Sequence, residues 1–257
     1  VEAAQPPSSA PANRLSVGDV ISETFSVYGQ NVGALLGSAL AVFVVVGLLS
    51  GILQRGGGVL LLLLGTAVSL AGQALYTGFV VELVQDVRDG RRDQTVGDLF
   101  SAAAPFILPL IGFGILFGIG AAIGFLLIVI PGLILVTFWS LGAPAIVVEG
   151  IGPIDAFGRS WRLVRGNAWQ VFGALVIVFV IVVVIQVALA AIANPIGNGE
   201  ASTWIASIVS GTLTAPIYAL AVTVMYFELA GEAVAPQAAA APPPQSEPPP
   251  PPPPPAS

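Results

Sequence analysis

The chain has 257 residues, 56% of them hydrophobic and 9% charged, with eight basic side chains, 14 acidic ones and a formal net charge of −6. A soluble domain carries roughly a quarter charged residues, and so few charges cannot cover a globule in water, so the surface has to face lipid. Cys and His are both absent, which excludes disulfides, thiolate nucleophiles, imidazole bases and almost every transition-metal site.

Residues 1–14, rich in Pro, Ser and Ala, have neither the basic start nor the apolar run of a signal peptide and are expected to form a disordered arm. Beyond them, the uncharged intervals map the membrane spans, because a charge at the centre of a span costs about 2.5–3.5 kcal/mol. These intervals run over 24–54, 56–81, 99–148, 166–199 and 201–227. Four hold one span each, near 32–53, 58–81, 169–192 and 204–227. The interval 99–148 would extend about 75 Å as one helix, against about 30 Å of hydrocarbon. It must fold back, and Pro131-Gly132 marks the expected place, giving spans near 106–129 and 132–148. Residues 231–257, with prolines at 242–244 and 248–255, read as a disordered polyproline II tail. A groove-type protein domain is the partner such a tail could take.

A five-span reading is set aside by the arginines. Six spans with the N-terminus inside put Arg14, Arg88, Arg91, Arg92, Arg159, Arg162 and Arg165 on the cytoplasmic side and leave Arg55 outside, as the positive-inside rule asks. Both termini are then cytoplasmic. All basic residues are Arg, and Ala, Gly, Val and Pro are abundant, which suggests a GC-rich bacterial genome and the bacterial cytoplasmic membrane. The Arg88–Arg92 cluster is short and mixed with Asp86, Asp89 and Asp93, so no nucleic acid is expected.

The sequence also repeats itself. Ser16-Val17-Gly18-Asp19-Val20-Ile21-Ser22 is echoed by Thr95-Val96-Gly97-Asp98-Leu99-Phe100-Ser101, and each precedes a pair of spans. A looser copy from Pro153-Ile154-Asp155 aligns Asp19 with Asp155, Phe25 with Trp161, Asn31 with Asn167 and Gly37 with Gly173. Ser/Thr-x-x-Asp is a helix start. At 100° per residue, Val17, Val20, Ile21, Thr24, Phe25 and Tyr28 share one side of the first copy, opposite Asp19, Ser22, Glu23, Ser26 and Gln30. The third places Ile154, Phe157, Trp161, Val164 and Ala168 on one stripe, with Asp155, Arg159 and Arg162 opposite and Arg165 near the edge. The fold class expected is therefore all-α: a polytopic membrane domain over 15–230, with about six spans as three hairpins, each preceded by an amphipathic interfacial helix near 17–30, 96–104 or 154–167.

The segment from Trp139 to Gly150, continuing through Ala156, Arg159, Ser160, Trp161, Leu163, Arg165, Gly166 and Trp169, resembles the bacterial membrane domain attached to some glycerophosphodiester phosphodiesterases and related stand-alone polytopic proteins. The resemblance implies a membrane module. The phosphodiesterase activity of that family belongs to a separate soluble barrel that uses His, for which this chain has neither the residues nor the room.

No catalytic, cofactor-binding or metal set can be assembled. Arg159, Arg162 and Arg165 are candidates for contact with anionic lipid phosphates, and also positive-inside anchors. Glu82, Glu149 and Glu228 close the inner end of each even-numbered span, as pairing partners for arginines or as ligands of lipid headgroups or an ion. Gln73, Gln186 and Asn194 are the strongest polar side chains within or at the ends of spans. The functional expectation is a non-enzymatic, lipid-associated scaffold or accessory module, with a transporter or flippase-like protein for a neutral or lipidic substrate as the alternative.

Overall fold

The computed structural model describes residues 15–90, 94–193 and 200–239; the expected arm, Arg14, Arg91, Arg92, Asn194 and the tail beyond 239 lie outside the described residues. The described residues form α1 (Val17–Gln30), α2 (Val32–Arg55), α3 (Val59–Arg88), α4 (Val96–Ala103), α5 (Ile107–Leu127), α6 (Val129–Trp139), α7 (Gly142–Glu149), α8 (Pro153–Val164), α9 (Ala168–Ala193) and α10 (Glu200–Ala239). Six stretches are long and apolar enough to cross a bilayer: Val32–Leu53, Val59–Arg88, Val96–Leu127, Val129–Glu149, Ala168–Ile192 and Ile208–Gly231. The protein is an all-helical polytopic membrane protein. Large apolar side chains such as Leu108, Leu126 and Val184 are exposed along the spans, where only lipid could solvate them.

The helix starts follow from local chemistry. The hydroxyl of Ser16 accepts from the Asp19 N–H at 3.3 Å, and that of Thr95 from the Asp98 N–H at 3.3 Å. Asp98 answers by accepting from the Thr95 N–H at 3.0 Å, which completes a capping box. Asn31 and Asn167 occupy the joints between α1 and α2 and between α8 and α9, where their carbonyls accept from Leu35 and Val171 at 2.9 Å each.

Packing is cyclic. The first helix of each hairpin packs on its own partner and on the second helix of another hairpin: α2 on α3 and α10, α5 on α6 and α3, α9 on α10 and α6. The short helices follow the same rule, with α1 on α9 and α10, α4 on α3, and α8 on α6 and α7. The second helices meet in the middle, where α10 touches both α3 and α7. Of the most apolar window of α10, 67% is buried, against 6% for α9, so α10 is the central post and α9 a lipid-facing wall. Aromatic rings bind the short helices to the spans: Phe100 stacks on Phe79 at 4.6 Å, Phe157 on Phe113 at 4.6 Å and Trp161 on Phe138 at 4.1 Å.

The fourth span is two helices, and the break has a cause. Pro144 lacks an N–H, and its ring conflicts with the carbonyl one turn earlier, that of Ser140. The chain leaves helical geometry between Trp139 and Gly142. The freed backbone groups are then satisfied by serines. The hydroxyl of Ser140 donates to the Thr137 carbonyl at 2.9 Å. Ser160, wholly buried on α8, donates to the Phe138 carbonyl at 2.7 Å and accepts from the Leu141 N–H at 3.1 Å.

Two sequence expectations are displaced, and on two short helices the buried line differs from the apolar stripe. The turn between the third and fourth spans falls at Ile128, ahead of Pro131-Gly132, because an extended residue there (φ −161°, ψ 149°) suffices, and Pro131 sits within the first turn of α6. Gly132 instead serves close packing: a side chain on Gly124 would lie 3.0 Å from its Cα. On α8 the buried residues are Ala156, Ser160, Leu163 and Val164, while Ile154 and Trp161 of the expected stripe are 71% and 42% exposed. Small residues admit closer helix contact than the large ones, and Ser160 has a polar role at the break. On α1 the buried line is Val20, Thr24 and Val27, with Phe25 turned outward. Finally, α10 continues to Ala239, so residues 231–239, expected in the tail, are helical; Ala, Glu and Val follow one another there with Pro236 as the first strong breaker after Pro216.

Replacing Ser160 with Ala leaves the Leu141 N–H and the Phe138 carbonyl without their partner in an apolar surround. A loss of about 1–3 kcal/mol is expected, read as a lower midpoint for thermal unfolding in detergent; an unchanged midpoint would show that the break needs no partner from α8.

Candidate functional site

The chain direction brings the ends of α3, α7 and α10 and the starts of α2, α5 and α9 to one end of the bundle, and most of the charged side chains of the described residues collect there, with Arg55 at the other end. Gly150, at φ 65°, adopts a backbone that other residues rarely take and turns the chain from Glu149 into α8. Glu149 then accepts from the Arg159 Nε at 2.6 Å and from the Tyr226 hydroxyl at 2.6 Å. This node ties α7, α8 and α10 together. A second node joins α1, α3 and α10: Arg88 pairs with Glu23 at 2.5 Å, and its guanidinium lies 5.1 Å from the Phe227 ring centre. Glu228 faces Glu23 within the field of Arg88 and Asp19.

The six residues singled out from sequence therefore fall into different settings. Arg159 and Glu149 are brought together. Glu228 joins the Glu23–Arg88 node, a neighbour that sequence reasoning did not name. Glu82 is partly buried on α3. Arg162 and Arg165 are exposed and have no ion-pair partner among the described residues. Gln186 accepts from the Ser210 hydroxyl at 2.5 Å, linking α9 to α10. Among the described residues no cluster of three or more His, Cys, Asp or Glu side chains is placed to hold a metal.

Sequence reasoning missed the cavities. One of about 740 Å³ lies among the spans, walled by Phe43, Phe125, Leu133, Phe172, Phe179 and other apolar side chains of α2, α5, α6, α9 and α10. Thr137 and Thr214 also line it, but their hydroxyls are committed as donors to the carbonyls of Leu133 and Ser210 on their own helices. Gln73 and Tyr218 are the polar groups that remain, and both also border a cavity of about 270 Å³ against α3 and α5. A groove of about 350 Å³ between α6 and α9 shares Leu133, Thr137 and Phe172 with the large cavity. Residues from helices far apart in the chain make these walls, so no local motif announces them.

Residues 58–240, most of the chain and all of α3–α10, match the family described as a domain of unknown function, DUF7847. The chain belongs to the DUF7847 family. It is also similar to a UPF0259 membrane protein of Pectobacterium carotovorum subsp. carotovorum (strain PC1), 30% identical over 158 residues, covering 61% of this chain and 63% of that protein. No solved structure matches. The DUF7847 segment contains Glu149, Arg159, Tyr226, the Ser160 repair of the broken span and most of the cavity wall, whereas Glu23 and Phe43 precede it.

The Glu149 node makes a measurable prediction. Tyr226→Phe removes one hydrogen bond to a carboxylate and is expected to cost about 1.5–3 kcal/mol. Arg159→Gln and Glu149→Gln each strand a partly buried charge, and the double variant should lose less than the sum of the two. Unfolding in detergent of the four proteins of this cycle checks it; strict additivity would show that the pair is not coupled.

Proposed function

We propose that this protein is a non-enzymatic, lipid-associated accessory or scaffold module of a bacterial cytoplasmic membrane, with its arginine-bearing end and both termini in the cytoplasm. The observation that carries the reading is the contrast among the arginines. Arg88 and Arg159 are engaged by carboxylates, while Arg162 and Arg165 on α8 are exposed without one among the described residues. Trp161 and Trp169, 42% and 80% exposed, flank them. Exposed indoles beside guanidinium groups at the end of a span suit the headgroup layer, where the ring meets the acyl boundary and the cation meets phosphate. In this reading α1, α4 and α8 lie along the inner leaflet as the interfacial helices of three repeated units, and the polyproline sequence beyond residue 239 is the ligand for a groove-type protein partner. The resemblance of Trp139–Trp169 to the membrane domain that accompanies glycerophosphodiester phosphodiesterases supports a membrane module without that enzyme's chemistry.

A second reading, a transporter or flippase-like protein for a lipidic substrate, is favoured by one observation: Gln73 and Tyr218 face two adjoining cavities from within the spans. Under it, Gln73→Ala and Tyr218→Phe would slow movement of a labelled lipid across proteoliposomes. Under the accessory reading they leave it unchanged.

Two experiments test the leading reading. Native mass spectrometry from mild detergent should find phosphatidylglycerol retained by the wild type. Removing both arginines as Arg162→Gln/Arg165→Gln should weaken that retention roughly 30-fold, at about 1 kcal/mol per arginine near an anionic surface. Equal retention would reduce these arginines to topology signals. For orientation, the native lack of Cys makes any single Cys variant a clean probe. Gly57→Cys is expected to react with an impermeant maleimide in intact cells, and Gly90→Cys only after lysis; the reverse pattern would invert the protein.

A further inference from the structure

We propose that the α6–α9 groove and the cavity it joins form a site for one phospholipid molecule, its phosphate held by Arg162 and Arg165 and one acyl chain laid between α6 and α9. The proposal deepens the lipid-associated reading and rests on it: a lipid is held in a shaped slot instead of being drawn to the surface by charge alone.

Three observations converge. The first is continuity. The groove and the large cavity are walled jointly by Leu133, Thr137 and Phe172, so a chain entering the one can pass into the other. Their volumes, about 350 and 740 Å³, fall in the range of roughly 300–1,000 Å³ typical of pockets that enclose small molecules. The second is chemistry. The shared wall is hydrocarbon, since the Thr137 hydroxyl is committed to its own helix at 2.8 Å. Outside Gln73 and Tyr218, which border the large cavity, such a slot offers no free polar group to an ion or a sugar and suits an alkyl chain. The third is charge at the mouth. The groove ends at Ala168 and Trp169, where α9 begins, three residues beyond Arg165. Arg162 follows Trp161, whose ring stacks on Phe138 of the groove wall at 4.1 Å. A phosphate within reach of these two guanidinium groups stands over the opening, with Trp169 as its apolar rim. Arg159 is not part of this set, because Glu149 holds it. The occupant is therefore an amphiphile with an anionic head and a long apolar tail.

The test uses the full chain in mild detergent with phosphatidylglycerol carrying a diazirine midway along one acyl chain. Photolysis of the wild type should place adducts on peptides covering Leu133–Phe138 and Phe172–Phe179. Adducts spread evenly over the lipid-facing helices would overturn the slot. Leu133→Trp, which fills the shared wall, should reduce the groove adducts and the retained lipid at least about tenfold, whereas Val184→Trp, on an exposed part of α9 outside the groove, should leave both unchanged. Arg162→Gln/Arg165→Gln should release phosphatidylglycerol while groove labelling by an uncharged diacylglycerol probe persists. Lipid lost in the arginine variant with wild-type adducts spread evenly would sink the slot and leave the lipid-associated reading standing. Undiminished retention in the arginine variant would overturn both. A lipid-free dimer whose cross-links join two copies through the groove would assign it to protein contact and overturn the proposal.

Discussion

No water is available in the hydrocarbon core to satisfy a backbone N–H or C=O, so a helix that breaks within a membrane span must find partners elsewhere in the protein. Pro144 imposes such a break between α6 and α7. Ser140 caps one freed carbonyl from within, and Ser160 takes one carbonyl and one N–H from outside. Much of the remaining layout follows from that second partner. It pins α8 against the break, with Ala156, Leu163 and Val164 buried beside it. It also decides the face that α8 turns outward, and with it the positions of Arg162, Arg165 and Trp161. A serine can do this because it donates and accepts through one small atom.

The bundle does not hold its helices together by excluding water, since lipid tails are as apolar as leucine; close packing and a few interhelical polar contacts have to suffice. The structure shows both. Gly78 lies so near Ala103 that a side chain on it would come within 2.9 Å of the alanine methyl, and Gly142 sits under the ring of Phe113. The Tyr76 hydroxyl reaches the Leu35 carbonyl at 3.2 Å, and Gln186 meets Ser210. Where large rings keep helices apart instead, as Phe43, Phe125, Phe172 and Phe179 do, space is left between them. Close approach at the glycines and looser packing around the rings belong to one distribution of residue sizes.

The spans were legible because their signal is the absence of charge over some twenty residues, which no tertiary contact can hide. The starts of α1 and α4 were legible because Ser16, Asp19, Thr95 and Asp98 act on backbone within three residues of themselves. Legibility ended where the deciding partner is distant. The stripe on α8 read by hydrophobicity puts Ile154 and Trp161 toward the headgroup boundary and leaves unread the buried line through Ala156 and Ser160, which is set by a proline sixteen residues before that serine. The Glu149 node needs Tyr226 from another hairpin, and the cavity is assembled from five or more helices. Ile128 as the turn was obscured by a neighbouring proline, which tolerates the first turn of a helix as readily as it ends one.

The cyclic packing also bears on how the molecule is made. Helix α1 finds its main contacts on α9 and α10, roughly 150 to 200 residues later in the chain. Hairpin pairs such as α2 with α3 can associate soon after insertion, but the seam between the first and third hairpins cannot close until α9 and α10 are made. Contacts of such long sequence separation form late and slowly. Until then the bundle is an open arc, with the faces of α2 and α3 that will later meet α10 turned toward lipid or toward an insertion factor, and the ring is closed by its last hairpin.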